Sequence, residues 1–133
     1  MAIDAENTPY VAIGGEAPTR ALAARFYELM FEREPALTAV HRCDETGRVA
    51  PEMQERFALF LIGWLGGPQT YMQTHGHPRL RMRHAHVAID VAMRDAWVRT
   101  MKAAMDDQGI SGELRDFLDA RFEDLATFLR NAR

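Results

Sequence analysis

Histidine is the residue type in this sequence best suited to bind a metal ion near neutral pH. The chain has five histidines: His41, His75, His77, His84 and His86. Four of them lie in or just after residues 66–84, a stretch that also contains three arginines, three glycines and two prolines. A segment this polar in the middle of a helical chain indicates that something is held there, and His84 at its end is the candidate ligand.

Two kinds of metal site are compatible with these histidines. The first is a zinc site made from two His-x-His pairs, His75 with His77 and His84 with His86, which requires the two pairs to converge. Pro78 and the arginines between the pairs oppose convergence. No carboxylate lies close by in the sequence to complete the set of ligands.

The second kind of site is haem, which brings its other ligands with it and needs only one axial histidine from the protein. Haem also needs an apolar slot, which the bulky face formed by Phe57, Phe60 and Trp64 could provide. Its carboxylates need cations, and arginine binds carboxylates in a bidentate manner. Spacing alone leaves both kinds of site open, together with the alternative that His84 is an ordinary surface histidine.

Apolar residues at helical spacing predict four substantial helices and no strand. Their predicted starts or N-caps are Ala17, Pro51, Asp90 and Ser111. The first is expected to run over residues 17–31, and Gly109 is expected to end the third. Shorter helical turns are expected over residues 9–13 and after Pro35. The predicted fold class is therefore all-α, with an irregular connection leading to His84.

Length and composition indicate one domain, residues 1–133, in which residues 1–8 form a flexible arm. The net charge of −3 and the lack of a basic face argue against nucleic acid as a partner. No apolar run approaches the length of a membrane span, and the N-terminus lacks the features of a signal peptide. The single cysteine, Cys43, excludes an internal disulfide and fits a reducing cytoplasm.

Five short motifs are spread along the chain. The longest is Gly76-His77-Pro78-Arg79-Leu80-Arg81-Met82-Arg83-His84. The others are Gly14-Gly15, Arg25-Phe26-Tyr27, Gly66-Gly67-Pro68 with Tyr71, and Arg94-Asp95-Ala96-Trp97. Together they resemble the motifs of the truncated haemoglobins, most closely those of the second group of this bacterial family. The resemblance covers residues 9–129.

The resemblance implies a truncated globin fold, which is a helical sandwich around a haem b with a short first helix and a mostly irregular proximal segment. His84 matches the proximal histidine that ligates the haem iron. The candidate distal residues that face a bound gas are Tyr27, Trp97, His41, Phe57 and Met53. The candidate contacts to the haem itself are Arg83, Arg81, Phe60 and Trp64.

Two departures from the family pattern concern this site. The family often has Ala-Pro-Phe after the proximal histidine, whereas this chain has Ala85-His86-Val87, so His86 is a competing candidate ligand. The spacing to Trp97 favours His84. Phe57 is bulkier than many residues at its position, which predicts a narrower distal pocket.

The resemblance implies tight, reversible binding of O₂, with CO and NO as further ligands. The expected donors to the partly negative oxygen are Tyr27, Trp97 and His41, each contributing about 1–1.5 kcal/mol. A total of about 3 kcal/mol would slow O₂ release roughly a hundredfold. NO dioxygenation with a separate reductase and peroxidase-type turnover are enzymatic alternatives, since the same donors polarise a peroxide. A haem-free helical module or a zinc protein is the alternative of another class.

Overall fold

The computed structural model describes residues 3–133, which fold into eight helices. They are α1 (Pro9–Ile13), α2 (Glu16–Arg33), α3 (Pro35–Ala39), α4 (Pro51–Trp64), α5 (Thr70–His75), α6 (Leu80–Arg83), α7 (Val91–Asp107) and α8 (Gly112–Leu129). Within these residues there is no β-strand, and Cys43 and Val49 form an isolated antiparallel bridge. The prediction of an all-α fold is confirmed. No helix in residues 3–133 is both long and apolar enough to cross a lipid bilayer.

The four long helices are those that the apolar pattern predicts, with differences at their ends. Helix α2 extends beyond the predicted residues 17–31 in both directions. Asp90 caps α7 as predicted, because its Oδ1 accepts a hydrogen bond from the backbone N–H of Met93 at 2.8 Å. Ser111 occupies the N-cap position of α8, but its side chain makes no capping hydrogen bond. The first residue of α8, Gly112, has a φ of +71°, so this helix begins with an irregular turn.

Helix α2 is the centre of the packing. It contacts α4 and α7, and α7 in turn contacts α8. The apolar stripe predicted on α2 is enclosed: Leu22, Phe26, Leu29 and Met30 each expose 1% or less of their surface. Burying side chains of this size stabilises a fold by roughly 1.5–3 kcal/mol each. Helix α2 is therefore a fixed wall from which neighbouring side chains can be positioned.

The apolar face of α8 is buried at the middle of the helix but not at its end. Leu118 and Phe122 are inside, whereas Phe128 is 55% exposed. The guanidinium carbon of Arg81 lies 5.3 Å from the centre of the Phe128 ring. Phe128 thus lies outside the core, because the last turn of α8 faces the short helix α6.

The N-terminal part of the chain packs against the turn that ends α4. The backbone N–H of Tyr10 donates a hydrogen bond to the carbonyl of Leu65 at 2.9 Å. This approach requires two glycines, because a Cβ at Gly67 would lie 2.7 Å from the Tyr10 ring and Gly66 has a φ of +100°. The glycine pair after α4 therefore serves close packing as well as helix termination.

The predicted flexible arm, residues 1–8, begins with two residues that lie outside the described ones. In the remainder, Oδ1 of Asp4 accepts a hydrogen bond from the N–H of Asn7 at 2.8 Å. The hydroxyl of Thr8 then accepts a hydrogen bond from the N–H of Val11 at 3.2 Å and caps α1. The described part of the arm thus contains a turn that leads directly into the first helix.

Candidate functional site

Side chains from helices α2 to α8 line one cavity of about 480 Å³. Its lining is mostly aromatic and aliphatic, and it contains no aspartate or glutamate. This volume is within the usual range for pockets that bind small molecules and cofactors. The cavity therefore suits a large apolar ligand, and any negative charge on that ligand must meet cations or water.

Eight of the ten residues predicted from the sequence line this cavity: Tyr27, His41, Met53, Phe57, Phe60, Arg83, His84 and Trp97. The other two lie outside the lining. Arg81 lies over Phe128 and borders a separate surface depression. Trp64 stacks on Phe122, with ring centres 5.0 Å apart, and supports the cavity wall from behind Phe60.

His84 lies in the proximal segment, defined here as residues 76–90, directly after the single turn of α6. Its Nδ1 is 2.6 Å from the carbonyl oxygen of Leu80. A carbonyl can only accept a hydrogen bond, so Nδ1 carries a proton, and in the neutral ring the lone pair is on Nε2. This is the second interaction that metal-ligating histidines usually make, and it fixes both the tautomer and the ring orientation. His84 therefore lines the cavity with a ring whose rotation is fixed by the Leu80 carbonyl.

Tyr27 enters the cavity from the wall formed by α2. Its side chain is 7% exposed and meets the rings of Phe26 and Phe57 edge-on, at 5.3 and 5.6 Å between centres. Its hydroxyl makes no hydrogen bond with the described residues. Burial raises the pKa of this hydroxyl above its usual range, so it remains protonated and able to donate. The hydroxyl is thus a donor whose partner must come from the cavity.

Trp97 is the second such donor. Its ring meets Phe26 and Phe122 edge-on, at 5.3 and 5.8 Å between centres. Its indole N–H likewise makes no hydrogen bond with any residue in 3–133. Trp97 is half-buried and lines the cavity, so its N–H suits a ligand there that accepts a hydrogen bond.

His41 borders the cavity as a hydrogen-bond acceptor, whereas the sequence predicts a donor. Its Nδ1 lies 2.8 Å from the carbonyl oxygen of Leu37 and donates to it. Burial, with a smaller effect from His84, lowers the pKa of His41, so the ring is neutral near pH 7. A neutral imidazole has one N–H, and here the backbone takes it. The Nε2 of His41 is consequently an acceptor, which leaves Tyr27 and Trp97 as the aromatic donors of this wall.

Four arginines give the cavity a cationic edge: Arg42, Arg56, Arg83 and Arg94. The first is paired with Glu52 and the last with Asp95. Arg56 and Arg83 make no ion pair within the described residues. The sequence has no acidic residue between Glu55 and Asp90, so nothing in that stretch offsets their charge. These two guanidinium groups are therefore available to a ligand that carries carboxylates.

Arg56, Met93 and Tyr71 are among the lining residues that the sequence did not predict as part of the site. Arg56 lies three residues after Met53 and four before Phe60, which places all three on one face of α4. Met93 precedes Trp97 by one turn of α7 and lines the same wall. Tyr71 was expected to be only structural, yet it lines the cavity while remaining 4% exposed. Helical spacing from the predicted residues would have indicated the first two.

The histidine pairs do not form a zinc site. Across residues 3–133 no three His, Cys, Asp or Glu side chains come close enough together to hold a metal ion. The His75 ring contacts Tyr71, with centres 5.0 Å apart, and His77 Nδ1 accepts a hydrogen bond from the N–H of Arg79. The site therefore fits a metal that arrives with most of its own ligands.

Comparison with known proteins identifies the family of the chain. Residues 8–131 match the family model of bacterial-like globins. A group 2 truncated haemoglobin of Bacillus subtilis (strain 168) is 40% identical over 125 residues, which cover 94% of this chain and 89% of that protein.

Two solved structures show the same fold. The group II haemoglobin of Agrobacterium tumefaciens is 40% identical, covers 95% of each chain and superposes with a TM-score of 0.85. An oxygen-avid truncated haemoglobin from Bacillus subtilis is 39% identical, covers 94% of this chain and 100% of that one, and gives a TM-score of 0.82. The chain therefore belongs to the bacterial-like globin family, as a group II truncated haemoglobin, and this membership implies haem-based oxygen binding.

Proposed function

We propose that this protein binds O₂ reversibly and tightly through a haem b that is ligated by His84, with Tyr27 and Trp97 as hydrogen-bond donors to the gas. The observation that carries the proposal is the fixed tautomer of His84. Its Nδ1–H is held by the Leu80 carbonyl at 2.6 Å, and the ring borders an apolar cavity that also contains two donors with no protein partner.

The residues of the cavity fit a haem. Phe57, Phe60 and the other apolar side chains suit a porphyrin, and Arg56 with Arg83 would hold its two carboxylates. The residues before His84 are Leu-Arg-Met-Arg, which is not the Cys-x-x-Cys sequence that attaches a haem covalently. Haem b, held without a covalent link, is therefore the proposed cofactor.

When bound, the haem supplies reversible coordination of a diatomic gas, and the chain's own residues tune it. His84 would coordinate the iron through the lone pair of its Nε2. Met53 and Phe57 keep the gas site apolar and exclude water. Tyr27 and Trp97 would donate hydrogen bonds to the partly negative oxygen.

Each of these donors is expected to contribute about 1.5 kcal/mol, since the acceptor is charged. Together they would slow O₂ release roughly a hundredfold relative to an apolar pocket. The oxygen-avid character of the Bacillus subtilis relative supports tight binding here. CO and NO are proposed as further ligands of the same site. A cytoplasmic location and a separate reductase remain predictions from the sequence.

Titration of the purified protein with hemin, followed by spectra of the ferric, ferrous and CO-bound forms, tests this function. Wild type should take up one haem and give a ferrous–CO spectrum typical of histidine ligation. His84→Gly should lose that spectrum and regain it with added imidazole, whereas His86→Gly should behave as wild type. Failure of wild type to take up haem would overturn the proposal, and an unchanged His84→Gly spectrum would overturn the assignment of the ligand.

Fast turnover of peroxide, together with autoxidation of the ferrous protein within seconds, would instead favour a redox enzyme. Measuring peroxide consumption on the same sample therefore separates the two functions.

A further inference from the structure

The proximal segment is tied to the C-terminal end of the chain by Asn131. Its Oδ1 accepts a hydrogen bond from the N–H of Ile89 at 2.8 Å. Its Nδ2 donates to the carbonyls of Val87 at 2.9 Å and of His84 at 3.3 Å. The backbone N–H groups of Asn131 and Ala132 also donate to the carbonyl of Ile89, at 2.9 and 3.1 Å. These five bonds are called the C-terminal clasp below.

The clasp holds a stretch of backbone that has little else to hold it. Helix α6 is four residues long, and it is preceded by Arg79, whose φ of +47° is unusual for a residue other than glycine. Between His84 and Asp90 the chain is not helical. Its own turn supplies a bond from the Val87 N–H to the His84 carbonyl at 3.0 Å, but its polar backbone groups also need partners from elsewhere. The Asn131 side chain satisfies three of them at once.

A second contact joins the same two parts of the molecule. The Arg81 side chain of α6 covers Phe128 on the last turn of α8. The residue that the resemblance suggested for a haem carboxylate is thus engaged at the end of α8 instead. Arg81 attaches the proximal segment to the last turn of α8, and the clasp attaches it to the residues that follow α8, on the other side of His84.

We propose that Asn131 is a positioning residue for the haem ligand. By fixing the backbone on the C-terminal side of His84, it fixes where the imidazole stands, while the bond to Leu80 fixes how the ring is rotated. The clasp therefore sets the strength of the bond from His84 to iron and slows the loss of haem. This inference rests on the proposed function, because it takes His84 as the iron ligand.

The experiment compares haem-loaded wild type with Asn131→Ala and Asn131→Asp. The aspartate variant keeps the size of the side chain and the acceptor for Ile89, but it replaces the two donated bonds with repulsion between oxygens. Arg130→Ala is the matched control, since it alters the neighbouring exposed residue, whose backbone N–H bonds to Thr127 outside the clasp.

Three quantities are measured: the iron–histidine stretching frequency of the ferrous form by resonance Raman, the rate of haem transfer to apomyoglobin, and the amide exchange of Ile89. In Asn131→Ala the stretching band should shift, haem should leave about tenfold faster, equivalent to about 1.4 kcal/mol, and the Ile89 amide should lose protection. In Asn131→Asp the Ile89 amide should stay protected while the first two effects persist. Arg130→Ala should match wild type in all three.

An unshifted band with haem loss within twofold of wild type in both Asn131 variants would overturn the inference. So would an equal effect of Arg130→Ala, because the C-terminus would then act only through general stability. If Asn131→Ala does not fold, Asn131→Asp decides the result by the same criteria. If wild type itself takes up no haem, the proposed function fails, which this experiment distinguishes from a failure of the clasp alone.

Discussion

The two sides of the cavity are built in different ways. The distal wall, formed by Phe26, Tyr27, Phe57 and Trp97, stands on long helices and consists of rings in edge and tilted contact, 5.3–5.6 Å between centres. The proximal segment has one helical turn and is exposed along most of its length. It is held by hydrogen bonds and by the Arg81–Phe128 contact.

This difference indicates that the distal wall and the proximal segment control different properties of the protein. Close packing of the rings restricts the motion of the Tyr27 and Trp97 side chains. The positions of the two donors, and with them the affinity for a gas, therefore depend on the burial of apolar side chains around them. Hydrogen bonds at a surface compete with water and contribute less each, so the proximal segment is held less firmly than the distal wall. Changes in the distal wall should therefore cost folding stability or gas affinity, and changes on the proximal side should act mainly on cofactor retention.

The largest expected difference between the regions is in folding stability. Phe26→Ala removes a ring that is 1% exposed and should lower the free energy of unfolding by about 3–5 kcal/mol. Phe128→Ala, the matched change beside the proximal segment, removes a ring that is 55% exposed and should cost less than about 1 kcal/mol. Urea denaturation measures both, and equal losses would contradict the contrast.

The next effect concerns release of O₂. Tyr27→Phe removes one donor and should speed O₂ dissociation roughly tenfold, which corresponds to about 1.5 kcal/mol. Tyr71→Phe is the control, because this tyrosine also lines the cavity, on α5, and should leave the rate unchanged. Stopped-flow measurement of O₂ release gives both rates. A Tyr27→Phe rate within twofold of wild type would remove Tyr27 from the gas site.

A smaller effect is expected in alkaline solution. Burial raises the pKa of Tyr27 in the folded protein, whereas the unfolded chain loses that proton near pH 10. The stabilising contribution is therefore complete below about pH 10 and is lost above it, by up to about 1.4 kcal/mol per pH unit. Tyr27→Phe should lack this component of the loss. Unfolding free energies at about pH 9 and about pH 11 test it, and parallel losses in the two proteins would contradict the burial of the hydroxyl.

The smallest expected effect is electrostatic. Arg83→Gln should speed haem loss by no more than about fivefold, since an exposed ion pair contributes about 0–1 kcal/mol. The effect should shrink at high salt because screening weakens exposed pairs. Arg33→Gln, at the exposed end of α2, is the control and should leave haem loss unchanged. An Arg83 effect that is independent of salt would indicate a packing role instead.

The distal wall could be predicted from the sequence because it obeys helical periodicity. The spacing of Leu22, Phe26 and Met30 identified the buried face of α2, and the motif resemblance then placed Tyr27 beside it. Whether His41 acts as a donor or an acceptor could not be predicted, since this depends on whether a backbone carbonyl accepts a hydrogen bond from Nδ1.

The proximal side was less predictable for a physical reason. The sequence predicted His84 as the ligand. The hydrogen bonds that hold its backbone come from Asn131, which is distant in the chain and belongs to no periodic pattern. The contact between Arg81 and Phe128 could not be predicted either, because the spacing of apolar residues does not indicate a cation that lies over an exposed ring. Contacts of this kind become visible only when the chain is folded.

The central claim is that His84 binds the iron of a haem held in this cavity. The most direct test is an anomalous difference map, recorded at the iron absorption edge, from a crystal of the haem-loaded protein. We expect one strong peak at coordination distance from Nε2 of His84, with Nδ1 still bonded to the Leu80 carbonyl. A peak beside His86 or His41, or an iron with no protein nitrogen next to it, would contradict the account.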